Sequence, residues 1–245
     1  MDCQEYDLIT FGCSFTYGHG LQDCIAEDGL CNGPRPSVLA WPNQLKVLCN
    51  FKTVDNQGEP GASNKIITKN IIEYKKYSRQ SFVVIYWANF DRHTIFFSKD
   101  NNERIHMMPN FISDTMPKDF WKYHILGTSF NEAEYKDLIK RHYGYYHNAF
   151  DVYFDNIIRL NYVNSWLRSK GIECRHLFGE HEWNNDTLKK NKRYFNKYMM
   201  SDVKIKTFNY IKDFHIDDAL DKPQPHPGMA SHKLLAHNIK KWFKL

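Results

Sequence analysis

The chain has 245 residues, a length that suits one α/β domain with insertions or two small domains. Its hydrophobic share of 42% and charged share of 25% are ordinary for a globular protein. The formal net charge is +5, but the basic residues are scattered, as in residues 69–79 and 189–197. Solvated helix faces explain this distribution better than a nucleic-acid groove, so we expect no nucleic-acid partner.

The N-terminus and the cysteines predict where the protein resides. Residues 1–5 are acidic and do not form the apolar core of a signal peptide, and no apolar stretch approaches the length of a transmembrane helix. The six cysteines form no C-x-x-C pair and match no zinc pattern, which indicates small buried side chains in a reducing compartment. A bridge between Cys24 and Cys31 is the weaker alternative. We therefore expect a cytoplasmic protein without membrane association.

Apolar runs and helical periodicities alternate along most of the chain. In order, the predicted elements are a strand at 6–12, a helix at 41–48, a strand at 51–55, a helix from 65 to about 79, a strand at 81–87, a helix at 147–170, a strand at 172–178, a helix at 184–200, a strand at 204–208 and a helix at 228–243. The run at 81–87 is continuously apolar, as in the centre of a parallel sheet. This βα alternation predicts the α/β class with a doubly wound sheet.

Residues 93–145 interrupt the alternation and predict an insertion. Residues 95–97 and 105–107 predict a hairpin, and helical pieces follow near 117–124 and 131–142. The insertion and its C-terminal edge are rich in aromatic side chains: Trp121, Tyr123, Tyr135, Tyr143, Tyr145 and Tyr146.

Four residues with chemical potential lie at comparable places in this pattern. Ser14, Gly61 and Asn89 follow the first three strands, and His226 lies just before the last helix. Because the carboxyl ends of parallel strands meet at one edge of a sheet, we expect them to converge. A serine, a backbone N–H, an amide side chain and a histidine are the parts that acyl transfer needs.

At these positions the sequence resembles the SGNH hydrolases, also called the GDSL family. The resemblance is carried by Gly-x-Ser-x-x-x-Gly at residues 12–18, with Cys13 in place of the family's Asp; by Asn56 followed by Gly61; by Asn89, with Trp87 in place of the family's Gly; and by His226-Pro227, with Pro223 in place of the family's Asp. The blocks occur in family order and span most of the chain outside the insertion.

The resemblance implies a fold and an activity. The fold would be a three-layer α/β/α sandwich with a mostly parallel, flavodoxin-like sheet, in a single hydrolase domain over residues 1–245 with an insertion at about 93–145. The activity would be that of a serine esterase that acts through an acyl-enzyme and uses neither a metal nor another cofactor. A decayed, non-catalytic binding or structural protein and an acyltransferase are the alternatives.

The resemblance also implies roles for individual residues. Ser14 would be the nucleophile and His226 the general base. The oxyanion hole would comprise the backbone N–H groups of Ser14 and Gly61 and the side-chain amide of Asn89. The group that orients His226 stays open: Asp221 is closest in sequence, Asp218 and Asp217 are nearby, and a backbone carbonyl is a further alternative.

Each of these residues also has a plainer interpretation. Ser14 could be only a helix N-cap, Gly61 could serve a positive φ, Asn89 could cap a turn, and His226 could be a surface histidine. The remaining candidates, His19, His176, His181 and His232, are interpreted as surface or packing residues, and Asp91-Arg92 as a structural pair. Residues 180–182 (EHE) suggest a metal ligand set only weakly.

The aromatic side chains of the insertion predict a substrate class. Sugar rings stack on aromatic rings through their C–H faces, and tyrosine adds a polar tip for their hydroxyls. The expected substrate is a small-molecule or glycan ester, for example an O-acetyl ester. We predict that the insertion walls one side of the Ser14 pocket and biases it toward a carbohydrate or glycan ester. The alternative is that these rings only pack the insertion onto the domain. The oligomeric state stays open.

Overall fold

A computed structural model describes residues 3–24, 33–97, 103–109, 122, 125–179, 186–216, 218 and 226–245. The described strands are β1 (Asp7–Gly12), β2 (Thr53–Gly58), β3 (Ser81–Tyr86), β4 (His93–Phe96), β5 (Arg104–Met107), β6 (Ile125–Leu126), β7 (Glu173–Gly179) and β8 (Ile205–Phe208). The described helices are α1 (Ser14–Tyr17), α2 (Trp41–Cys49), α3 (Asn64–Glu73), α4 (Glu132–Arg141), α5 (Ala149–Ser169), α6 (Asp186–Phe195), α7 (Tyr210–Asp213) and α8 (Met229–Phe243).

The larger sheet has the strand order β2-β1-β3-β7-β8, and every neighbouring pair in it is parallel. This is the flavodoxin-like order predicted from the sequence. β3 lies at the centre of the sheet, and all six of its residues are buried. The continuous apolar run at 81–87 therefore predicted its position correctly, because a central parallel strand is covered on both faces.

Helices cover the two faces of this sheet and form two separate cores. Successive side chains of a strand point to opposite faces. In β1, Ile9 and Phe11 pack with the apolar residues of α3 and α5, whereas Leu8 packs with those of α2 and α8. The arrangement is the predicted three-layer α/β/α sandwich.

Part of the predicted insertion forms a small unit beside the main sheet. β4, β5 and β6 form an antiparallel sheet, in which Ile95 pairs with Ile105 as the hairpin prediction requires. The sheet and α4 share a cluster of buried side chains, namely Ile105, Met107, Tyr135 and Ile139. Of the helical piece predicted near 117–124, only Lys122 is described. The assignment of residues 1–245 to a single hydrolase domain stays a prediction.

Two helices end earlier than predicted: α6 ends at Phe195 rather than at residue 200, and α3 is shortened in the same way. α3 ends at Glu73 rather than near Arg79, and Tyr74 already has extended backbone angles. The reason is tertiary, because the rings of Tyr74 and Tyr77 pack on Phe11, with centroids 5.8 and 6.5 Å away. The Tyr74 hydroxyl also donates to the Asp55 carboxylate at 2.7 Å. These contacts outweigh the local preference for continuing the helix.

Two further predictions concern cysteines and membranes. Cys24 is buried, as are Cys3, Cys13 and Cys174, while Cys49 is half-buried. Cys31, the partner in the alternative bridge, lies outside the described residues. Within the described part of the chain, no helix combines the length and apolarity needed to cross a membrane.

Candidate active site

Ser14 lies where the chain leaves β1. It is the first residue of the short helix α1, and it is 5% exposed. The N-cap position belongs to Cys13, whose carbonyl accepts hydrogen bonds from the N–H groups of Thr16 and Tyr17 at 2.9 and 3.0 Å. The interpretation of Ser14 as only an N-cap is therefore wrong.

Helix α1 packs directly on the ends of β1 and β2. A Cβ atom at Gly12 would overlap the Thr16 hydroxyl, and one at Gly58 would overlap the Tyr17 backbone nitrogen, so only glycine permits this approach. Asn56 fastens the helix: its Nδ2 donates to the Thr16 carbonyl at 2.7 Å, and its Oδ1 accepts from the Gly58 N–H at 3.0 Å. Ser14 thus begins a helix whose position is closely determined.

Gly61 and Asn89 lie beyond the ends of the two strands that flank β1. In the register, Gly12 of β1 pairs with Gly58 of β2 on one side and with Tyr86 of β3 on the other. Ser14, Gly61 and Asn89 follow these three residues by two or three positions, at the same edge of the sheet. Gly61 has a φ of 75°, a conformation that favours glycine. The alternative interpretation, that glycine is needed here for a positive φ, therefore also holds.

His226 lies against helix α1. Its ring centroid is 5.7 Å from that of Phe15, the residue after Ser14, and 4.2 Å from that of His19. A residue more than 200 positions away in sequence is thus brought to the helix that begins at Ser14. His19 was interpreted from the sequence as a surface or packing residue, and its contact with the candidate base His226 was not predicted. Its position in the loop after residues 12–18 was the available signal.

The acid that orients His226 stays a prediction. Asp221 and Asp217 lie outside the described residues. Asp218 accepts hydrogen bonds from the backbone N–H groups of Gly228, Ala230 and Ser231 at 2.9, 2.7 and 3.1 Å, and from the Ser231 hydroxyl. Asp218 therefore caps the N-terminus of α8, two residues after His226.

The electrostatics of Asp218 follow from these contacts. Burial raises the pKa of its carboxyl, but the hydrogen bonds from Ser231, Gly228 and Ala230 lower it further, so the pKa lies below its ordinary value. The carboxylate is thus held in its charged form at the N-terminus of a helix, where a negative charge is favoured.

The insertion contacts the loops that carry Gly61 and Asn89. Arg104 of β5 pairs with Glu59 at 2.5 Å, two residues before Gly61. On the other loop, Asp91 pairs with His147 at 2.9 Å, and its carbonyl accepts a hydrogen bond from the Tyr143 hydroxyl at 2.6 Å. Asp91 thus has the structural role favoured from sequence.

The aromatic side chains at the end of the insertion divide into two kinds. Tyr135 is buried, and Tyr143 uses its hydroxyl to join loops, so these two rings pack the insertion. Tyr145 and Tyr146 are 83% and 76% exposed, on the turn of π-helix at His142–Tyr146. Trp121 and Tyr123 lie outside the described residues.

Trp87 replaces the family's glycine and is built into the core. Its ring stacks on His176 and Phe178, with centroids 6.1 and 5.9 Å away, and its Nε1–H donates to His176 Nδ1 at 3.1 Å. Burial lowers the pKa of His176 to about 3, and the nearby Arg175 contributes, so the ring is neutral and can accept this bond. His176 is therefore a packing residue, as predicted.

A metal site finds no support in the described residues, among which no three His, Cys, Asp or Glu side chains are grouped to hold an ion. The weak candidate at residues 180–182 lies outside them.

His232, another histidine interpreted as a packing residue, is buried and accepts a hydrogen bond from the Trp41 N–H at 3.0 Å.

Comparison with known proteins identifies the fold. No family model and no curated protein matches the sequence. Among solved structures, the chain aligns over 96% of its length with 98% of a lipolytic protein of the G-D-S-L family from Desulfitobacterium hafniense DCB-2, at 11% identity and a TM-score of 0.51. It aligns over 98% of its length with 65% of a carbohydrate esterase chain, at 12% identity and a TM-score of 0.55.

These alignments cover nearly the whole chain at low identity, so they establish the fold alone. The protein has the α/β fold of the SGNH, or GDSL, hydrolases. The predicted resemblance is confirmed at that level. What the site does chemically is a separate question, because one fold hosts many functions.

Proposed function

We propose that this protein is a serine esterase of the SGNH type, with Ser14 as nucleophile and His226 as general base. The observation that carries the proposal is the position of residues from four distant segments at the carboxyl ends of the parallel strands or beside α1. Ser14, Gly61 and Asn89 follow the paired ends of β1, β2 and β3, and the His226 ring packs beside α1. A purely structural role would not require a serine, a backbone N–H, an amide side chain and a histidine to lie in this arrangement.

In the proposed reaction, His226 removes the proton of the Ser14 hydroxyl as its oxygen attacks the ester carbonyl carbon. The tetrahedral oxyanion accepts hydrogen bonds from the N–H groups of Ser14 and Gly61 and from the amide of Asn89. The bond to the alcohol then breaks, and His226 returns its proton to the leaving oxygen. Water, deprotonated by His226, attacks the acyl-enzyme, and the carboxylic acid leaves as Ser14 regains its proton.

The direct test is turnover of p-nitrophenyl acetate by the wild type, Ser14→Ala and His226→Ala. Each substitution should lower kcat by about 10³-fold or more, and the double variant should be little worse than either single one, because residues that act as a unit lose function together. Two variants are matched controls that should stay active. Ser81→Ala lies at the N-terminal end of β3, away from the carboxyl ends of the strands, and His237→Ala lies on the exposed side of α8.

Two results would contradict the assignment. A fully active His226→Ala variant would remove the proposed base, and equal rates for the wild type and Ser14→Ala would favour a non-catalytic protein. Product analysis with sugar alcohols present distinguishes the acyltransferase alternative. Hydrolysis releases free acetate, whereas acyl transfer yields a new ester.

For the substrate, we propose an O-acetylated carbohydrate. Tyr145 and Tyr146 are exposed beside His147, and His147 pairs with Asp91, two residues after Asn89. We propose that these two rings lie at the rim of the site, since exposed aromatic rings are suited to stacking on sugar rings. One of the similar solved structures is that of a carbohydrate esterase, and its likeness to this chain is a likeness of fold.

The substrate proposal is tested with Tyr145→Ala and Tyr146→Ala. Each should raise KM for an acetylated xylooligosaccharide several-fold and leave KM for p-nitrophenyl acetate unchanged, because only the larger substrate reaches the rings. Tyr162→Ala is the matched control, since this tyrosine is 52% exposed on α5. Equal losses on both substrates would indicate that the rings only support packing.

A further inference from the structure

Asn64, the first residue of α3, binds the backbone of a distant residue through both atoms of its amide group. Its Oδ1 accepts a hydrogen bond from the Ala88 N–H at 2.8 Å, and its Nδ2 donates one to the Ala88 carbonyl at 3.1 Å. Both residues are 3% exposed. This two-bond clamp is therefore shielded from water, where a hydrogen bond is strong and costly to leave unmade.

The clamp joins the two loops that carry candidate oxyanion donors. Asn64 lies three residues after Gly61, and Ala88 directly precedes Asn89. The strands before these loops, β2 and β3, are not neighbours, because β1 lies between them. No backbone ladder therefore sets the position of one loop relative to the other, and the Asn64 amide spans this gap beyond the end of β1.

A second amide holds Asn64 in orientation. Asn64 Nδ2 also donates to Asn156 Oδ1 at 2.6 Å, and Asn156 Nδ2 donates in turn to the Val152 carbonyl at 2.7 Å. Because Asn64 Nδ2 has one acceptor on Asn156 and another on Ala88, the Asn64 amide group is held in one orientation. The clamp is thus anchored on α5, a helix of 21 residues.

We infer that Asn64 is a positioning residue for the oxyanion hole. It holds the loop of Asn89 at a set distance from the loop of Gly61, so that both donors face the same reacting oxygen before substrate binds. The inference rests on the proposed esterase function. Oxyanion donors act through such preorganisation, and a displacement of about 1 Å can cost on the order of 10²-fold in rate.

The kinetic test is a double-mutant cycle of Asn64→Ala and Asn89→Ala with p-nitrophenyl acetate. Asn64→Ala should lower kcat by about 10- to 100-fold with KM within about two-fold, because the loss concerns the transition state. If Asn64 acts through Asn89, the double variant should be no slower than Asn89→Ala by more than about three-fold. Losses that multiply in the double variant would overturn the inference.

Asn164→Ala is the matched control for a buried amide. Asn164 is 2% exposed on α5, and its Oδ1 accepts a bond from the Cys174 thiol at 3.3 Å. This variant should lose stability yet keep its kcat. A fall in kcat equal to that of Asn64→Ala would show that any lost buried amide slows the enzyme, and the inference would then be wrong.

Amide hydrogen exchange measured by NMR tests the clamp without relying on activity. The Ala88 N–H should exchange faster in Asn64→Ala than in Asn164→Ala, relative to the core of β3 in each variant. Unchanged protection of Ala88 would overturn the positioning role. If the wild type turns over no ester, the proposed function fails, and the exchange result alone decides whether Asn64 holds this loop.

Discussion

Asp218 offers a sharp test, because it is both a stability element and a candidate for orienting His226. In the structure its two oxygens accept four hydrogen bonds from residues 228–231. Replacing a capping Asp by Ala typically costs about 0.5–2 kcal/mol. We expect Asp218→Ala to cost about 2 kcal/mol, at the upper end, because several backbone N–H groups lose their acceptor together.

For a chain of this size, each kcal/mol corresponds to about 2–4 °C in Tm, so the expected fall is about 4–8 °C. The sign of the pH dependence follows from the lowered pKa of Asp218. A depressed folded-state pKa contributes stability above the unfolded-state pKa and loses it as the pH falls through the folded-state value. The difference in Tm between wild type and variant should therefore be full at pH 7 and shrink below about pH 4.

Scanning calorimetry from pH 3 to 7 measures this difference. Asp137→Ala, which removes an exposed carboxylate paired with Arg141 on α4, should change Tm little and serves as control. A constant difference across this pH range would refute the reasoning. Kinetics with Asp218→Asn add a second arm: kcat should stay within about three-fold of wild type, and a loss as large as that of His226→Ala would make Asp218 the orienting acid.

Two further predictions concern positions outside the proposed catalytic group. Trp87→Gly, which introduces the residue of the SGNH pattern at this position, should cost about 3–5 kcal/mol in guanidinium unfolding, because it leaves a cavity beside His176 and Phe178. Trp87→Phe should cost less. Arg104→Ala should cost about 1–3 kcal/mol, because it leaves the half-buried Glu59 carboxylate without its cation and with only the hydrogen bond from the Asn70 amide. Adding Glu59→Gln should restore part of the loss, and no restoration would argue against the pair.

Local sequence determined most of the fold. The continuous apolar run of β3 predicted a central strand because such a run is stable only when both faces are covered. The βα alternation predicted a doubly wound parallel sheet, and the resemblance to the SGNH hydrolases implied the three-layer arrangement; the structure confirms both. The spacing of Gly12, Ser14 and Gly18 predicted where the chain leaves β1, although residues 14–17 form the short helix α1 and only Gly18 follows it with a positive φ.

Other features depended on contacts between residues far apart in sequence. Periodicity alone continued α3 toward Arg79, but packing of Tyr74 on Phe11 ends the helix at Glu73. Trp87 is a departure from the family pattern in sequence, and only its stacking on His176 explains how the core accommodates it.

The candidate site shows the same division. The resemblance in sequence indicated Ser14 and His226, but only the tertiary structure shows that the His226 ring lies beside Phe15 of α1. The local sequence around Asn64 does not predict its hydrogen bonds to Ala88, because the Ala88 N–H and carbonyl belong to a loop that follows a non-adjacent strand. Local preferences specify the elements, whereas the contacts between their ends arise only when the layers pack and buried polar groups must find partners.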